Sequence, residues 1–166
     1  MNSNISLIGM PGAGKSVIGK LLAAQLSWQL IDTDRLIEDS VGTSLQQLLD
    51  EKGYLAVREI EEAAILSLEP HHTVISTGGS AVYSERGMAH LKSTSTLVFL
   101  DIDLATVKQR IHNFGERGIA SAQDHSLEMI FAERYPLYQQ YADITLPNSA
   151  ADPAQAVATL VERLNL

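Results

Sequence analysis

The run Gly9-Met10-Pro11-Gly12-Ala13-Gly14-Lys15-Ser16 constrains this chain more than any other feature. It fits the spacing G-x-x-x-x-G-K-S/T, in which glycines let successive backbone N–H groups turn inward on phosphate oxygens with no Cβ in the way. Such a loop works between a strand and a helix, because the helix's free N–H groups and positive dipole end complete the anion site. Both flanks are present. Ile5–Ile8 is a short apolar run, and Lys15–Leu26 places Val17, Ile18, Leu21, Leu22 and Leu26 at helical period. In this spacing Lys15 reaches the β- and γ-phosphates and the Ser16 hydroxyl is a Mg²⁺ ligand.

The remaining chain alternates in the same way. Gln29–Asp32, Thr73–Ser76, Thr96–Leu100 and Ile144–Leu146 read as short strands. Ser44 can cap a helix over Leu45–Lys52 that stops at Gly53, and Leu55–Leu68 is helical in period and ends before Pro70. Asp103 can cap Leu104–Asn113, and Asp152-Pro153 starts a last helix reaching Leu164. Apolar strands alternating with helices predict an α/β fold, a parallel sheet covered on both faces, with Trp28 and Leu30 in the core. The 166 residues make one domain.

Composition narrows the partners. The formal charge is −8, a poor match to nucleic acid, whose binding runs on clustered Lys and Arg. No apolar run is long enough to span a bilayer. There is no cysteine, hence no disulfide framework and no thiolate metal site. Met1-Asn2-Ser3-Asn4 lacks the basic and apolar parts of a secretory signal, so a cytoplasmic location is expected. The five histidines, at 71, 72, 90, 112 and 125, have no partners at metal-ligand spacing and read as surface or core residues.

Positive charge in so acidic a chain must act locally. Asp32-Thr33-Asp34 ends the second strand, at the sheet edge where open parallel sheets bind ligands. Phosphoryl transfer needs one carboxylate near the metal and one to orient the attacking hydroxyl, whereas a plain helix-capping turn would also contain aspartates. Thr77-Gly78-Gly79-Ser80 follows the third strand and permits close backbone approach to a ligand. Arg58 shares a helix face with Glu61, which can hold the guanidinium, and Arg134 stands likewise to Tyr138. A planar guanidinium suits a carboxylate. Phe114–Gln123, with Gly115, Arg117 and Gly118, reads as a mobile lid whose arginine could close over the phosphates and exclude water. No guanine-reading Asn/Thr-Lys-x-Asp segment is present, which sets aside a GTPase switch.

Taken together these residues resemble the shikimate kinase family, of the nucleoside-monophosphate-kinase-like P-loop group, along essentially the whole chain. The resemblance implies a P-loop NTPase fold with a five-stranded parallel sheet in the order 2-3-1-4-5, residues 33–60 as a substrate-binding subdomain and 112–124 as the lid. It implies ATP and Mg²⁺, a monomer, and a small substrate bearing a carboxylate and hydroxyls. Gly12, Ala13, Gly14, Lys15, Ser16 and Val17 would hold the ATP phosphates, with Arg110, Arg117 and Pro153 also on the nucleotide. Ser16 and Asp32 would serve Mg²⁺, Asp32 through water. Asp34, Arg58, Gly78, Gly79 and Arg134 would bind the substrate, with Lys15, Asp34 and Arg117 catalytic. Ser80, Val57, Gly118-Ile119 and Ala151 differ from the residues usual in the family, and the first three changes fall on the acceptor side. The expected reaction is ATP-dependent phosphorylation of shikimate. A paralogous kinase of another hydroxy acid or polyol such as gluconate, and a non-catalytic nucleotide-binding module, are the alternatives.

Overall fold

A computed structural model describes residues 4–112, 119–122, 124–150 and 152–166. The chain runs β1 (Asn4–Ile8), α1 (Lys15–Leu26), β2 (Gln29–Asp32), α2 (Thr33–Val41), α3 (Leu45–Lys52), α4 (Tyr54–Leu66) and β3 (Thr73–Ser76). A 3-10 turn (Ala81–Tyr83) follows, then α5 (Glu85–Thr94), β4 (Thr96–Asp101), α6 (Leu104–Arg110), α7 (Leu127–Tyr141), β5 (Ile144–Pro147) and α8 (Pro153–Leu164). The five strands form one parallel sheet in the order β2-β3-β1-β4-β5, as expected.

The central strands are buried because both their faces and both their edges are covered. Ile5 pairs with Val74 on one side and Thr96 on the other, and every residue of β1 and β3 is buried. These strands supply Ile5, Leu7, Ile8, Val74, Ile75 and Phe99 to the main core. Edge strands differ. Leu30, expected in the core, is 40% exposed, because β2 has a neighbour on one side alone. Trp28 is half-buried, packed on the core with an edge contact to His72 at 5.6 Å between ring centroids.

The expected caps form. Ser44 accepts from Gln47 N at 3.1 Å, Asp103 from Thr106 N at 2.7 Å and Asp152 from Gln155 N at 3.4 Å. Two helices were not foreseen. In α2, Asp32 is itself the cap, accepting from Asp34 N and Arg35 N. In α5, Ser84 takes that place. The helix expected over 104–113 ends at Arg110, with Ile111 as its cap, and that expected over 55–68 spans Tyr54–Leu66. Helices α2 to α4 share a second, smaller cluster of Ile37, Leu48 and Val57 with Ala120. Among the described residues no helix is long and apolar enough to cross a membrane. The lid reading over 112–124 falls largely on 113–118 and 123, which lie outside the described residues, as do Arg117, Gly118 and Ala151.

Candidate active site

The phosphate loop leaves β1 at Ile8 and enters α1 at Lys15. Gly14 caps that helix at φ 93°, a left-handed conformation that strains any side chain, and no side chain caps the first turn. The first N–H groups of α1 are therefore at the service of an anion. Lys15 is buried, and its Nζ donates to Gly9 O at 2.7 Å and Met10 O at 2.9 Å. Burial lowers its pKa to about 8, against the attraction of Asp34. Arg110 braces the loop from outside: its guanidinium donates to Gly12 O at 3.0 Å and to the carbonyls of Asn148 and Ser149. Asn148 Nδ2 donates to Ala13 O at 2.7 Å. The rigidity of the cradle thus comes from chain segments 98 and 135 residues away.

Ser16 Oγ donates to Asp32 Oδ2 at 2.7 Å. Asp32 ends β2 opposite Ser76, so the sheet places this pair at the carboxyl edge beside the loop. Among the described residues no group of three or more His, Asp or Glu could hold a metal ion. A Mg²⁺ that arrives on a nucleotide needs less, since it keeps several waters and takes one or two protein oxygens besides the phosphates. The hard oxygens of Ser16 and Asp32 fit that requirement.

A cavity of about 440 Å³ joins this loop to the acceptor side. Gly12, Gly14, Lys15, Ser16, Val17 and Arg110 line one part of it; Asp32, Asp34, Gly78, Gly79 and Arg134 line the other. Ala13 is fully buried, Pro153 is the exposed first residue of α8, and Arg58 lines a neighbouring hollow with Tyr83; none of the three lines the cavity. Asp34, in the first turn of α2, has its pKa raised to about 6 by burial, with Lys15 opposing the shift. Gly78 is held by its N–H to Thr33 Oγ1 at 3.0 Å, and a Cβ there would collide with Asp34 Oδ1 and Glu61 Oε1. Tyr138 faces Arg134, as its spacing implies, and donates its hydroxyl to Gly79 O at 2.6 Å.

The pairing expected of Arg58 with Glu61 is corrected. Among the described residues no ion pair joins them. Glu61, 4% exposed, turns inward and accepts from the Ser80 hydroxyl. Burial, then repulsion from Asp34, raises its pKa to about 7, and among the described residues Oε1 has no hydrogen-bond partner. Arg58 turns the other way, onto the Tyr83 ring at 3.7 Å from the centroid, and donates from Nε and Nη2 to Ala120 O at 3.2 and 3.0 Å. Arg134, 1% exposed, donates from Nη2 to the same Ala120 O at 3.1 Å. Two guanidiniums thus converge on one oxygen. Ser80, Tyr83 and Ala120 are partners that helical spacing could not reveal, since they lie 14 to 62 residues from the side chains they meet.

The shikimate kinase family pattern matches residues 11–165. The shikimate kinase of Xanthomonas euvesicatoria pv. vesicatoria is 33% identical over 164 residues, covering 97% of this chain and 91% of that protein. The crystal structure of shikimate kinase from Aquifex aeolicus superposes with a TM-score of 0.83 at 29% identity, covering 98% of this chain and 96% of that one. A shikimate kinase from Acinetobacter baumannii in complex with shikimate shares the fold with a TM-score of 0.90 at 24% identity, over 98% and 92% of the two chains. The match in sequence runs through both the phosphate loop and the acceptor wall, and the chain belongs to the shikimate kinase family, ATP-dependent kinases.

Proposed function

We propose that this protein transfers the γ-phosphate of ATP to a hydroxyl of shikimate, giving shikimate 3-phosphate and ADP. The observation that carries the reading is the convergence of Arg58 and Arg134 on Ala120 O, where Ala120 and Arg134 line the cavity that also contains Lys15 and Asp34, and Arg58 reaches that oxygen from the neighbouring hollow beside Tyr83. A planar guanidinium pair is suited to a carboxylate, and Asp34 is suited to a hydroxyl. The family relatives favour this acceptor over another hydroxy acid or a polyol.

In this reading residues 33–60 form the substrate-binding subdomain, supported by the separate cluster around Ile37, Leu48 and Val57. The acid's carboxylate takes the place held by Ala120 O. Its reacting hydroxyl sits at Asp34, which at pH 7 is largely ionised with a pKa of about 6. The bond from hydroxyl oxygen to the γ-phosphorus forms as the bond from that phosphorus to the β–γ bridging oxygen breaks. The transition state is loose, so the hydroxyl proton passes to Asp34 late, and the aspartate acts first by orientation. Lys15 releases the loop carbonyls and moves its charge to the phosphates, which restore the high pKa that burial removes. Ser16, and Asp32 through water, would hold Mg²⁺, which would supply charge neutralisation at the transferring phosphate. Gly78 and Gly79 let the backbone reach the substrate. Gly12 to Val17 and Arg110 serve the nucleotide, with Arg117 and Pro153 assigned there by resemblance.

An ADP-release assay with and without shikimate tests this. ATP turnover should depend on shikimate, with the phosphorylated acid found by mass spectrometry. Turnover unaffected by shikimate, or equal with gluconate, would overturn the assignment.

A further inference from the structure

We propose that Tyr83 is a positioning residue that sets the two-arginine clamp, and with it the preference for an acidic acceptor; the acceptor part rests on the shikimate reading above. Tyr83 ends the 3-10 turn that follows Gly78-Gly79-Ser80. That turn is fastened on both flanks. Ser80 donates to Glu61 and Ser84 donates to Glu62 at 2.5 Å, so α4 grips it before and after the tyrosine. Helix α7 grips it a third time through the Tyr138 hydroxyl on Gly79 O. The ring therefore has a fixed place.

Tyr83 contacts both arginines: Arg58 through its ring face, and Arg134 through its hydroxyl, with the Arg134 guanidinium carbon also 5.3 Å from the ring centroid. Its π-face lies under the Arg58 guanidinium, 3.7 Å from the centroid, with the Tyr54 ring at 5.0 Å from the same carbon. Its hydroxyl accepts from Arg134 Nε at 3.3 Å. Two guanidiniums that share one acceptor repel each other, and each needs a partner to hold its plane. A carboxylate in that position would neutralise the clamp and compete with an acidic ligand. A phenol offers a negative face to one cation and an oxygen lone pair to the other while remaining neutral. Glu61, the nearby carboxylate, is kept off the clamp by Ser80. With Nε of Arg134 on the tyrosine and the Arg58 plane on its ring, the free edges of both aim at the Ala120 oxygen, the spot a carboxylate oxygen would take.

The test compares wild type with Tyr83→Phe and Tyr83→Leu. Phenylalanine keeps the ring face for Arg58 and the longer ring contact to Arg134, and loses only the oxygen that accepts from Arg134 Nε; the KM for shikimate should rise roughly fivefold, the scale of one hydrogen bond. Leucine loses both, and the KM should rise roughly fiftyfold. The kcat and the KM for ATP should stay within about twofold. A merely structural role would instead lower kcat and raise both KM values together. Phenylglyoxal labelling with peptide mapping supplies a readout free of shikimate: Arg58 should label faster in Tyr83→Leu, with exposed Arg86 as the internal standard. Unchanged Arg58 labelling together with an unchanged shikimate KM overturns the role of Tyr83. Faster Arg58 labelling in a protein whose wild type ignores shikimate retains the clamp and overturns the acceptor.

Discussion

Glu61 is a buried carboxylate held a long way from its solution behaviour, and Glu61→Gln should stabilise this protein in proportion to that displacement. Its pKa rises from 4.5 to about 7. The folded state therefore binds a proton more tightly than the unfolded chain does, and stability falls as pH rises through the interval between the two values. At 1.36 kcal/mol per unit, the ionised side chain costs about 3 kcal/mol at pH 8 and about 1 kcal/mol at pH 5.5. Glutamine removes the charge and keeps the geometry. Its carbonyl can accept from Ser80 as Oε2 does now, and its amide can donate toward Asp34 from the place of the unpartnered Oε1. For a chain of this size 1 kcal/mol is worth roughly 2–4 °C in melting temperature. Differential scanning calorimetry should then find the variant roughly 6–12 °C more stable at pH 8 and only roughly 2–4 °C more stable at pH 5.5. A gain that is the same at both pH values would show that packing, not charge, is at stake. No gain at pH 8 would show that Arg134 and Lys15 already compensate the carboxylate in full.

Lys15→Ala should reduce phosphoryl transfer by at least roughly a hundredfold, because the ammonium acts electrostatically on the transferring group; circular dichroism should show the fold retained, and near wild-type turnover would remove the phosphate-loop assignment. The pH profile of kcat/KM for shikimate should fall about tenfold per unit below about pH 6, where Asp34 of the free enzyme takes up its proton and ceases to accept one. An acid limb that persists in Asp34→Asn would assign that titration to another group.

The parts of this protein that could be read from the chain are those whose causes are local. Thr73–Ser76, a central strand buried along its whole length, and Gln29–Asp32, an edge strand that is exposed or half-buried, are both found at the expected bounds, because turn and helix signals bound each short run. The phosphate loop is legible because its backbone conformation demands glycine at set places, as Gly14 at φ 93° shows. Helix α2 was missed because its sequence, Thr33–Val41, is mostly polar and its cap is the same Asp32 that ends β2. The acceptor side fails differently. The i, i+3 rule placed Arg58 beside Glu61 and described one isolated helix correctly. In the folded chain each side chain has a stronger claim on it from elsewhere. Tyr83 and Ala120 draw Arg58 to one side, and Ser80 draws Glu61 to the other. An exposed pair of this kind is worth only about 0.2–0.5 kcal/mol, less than a single hydrogen bond to a charged group, at about 1.5–3 kcal/mol. Long-range partners therefore win wherever the fold supplies them. The serine that departs from the family pattern is part of the same contest: Ser80 lines the cavity beside Arg134 and its hydroxyl donates to Glu61, which fixes that carboxylate away from Arg58.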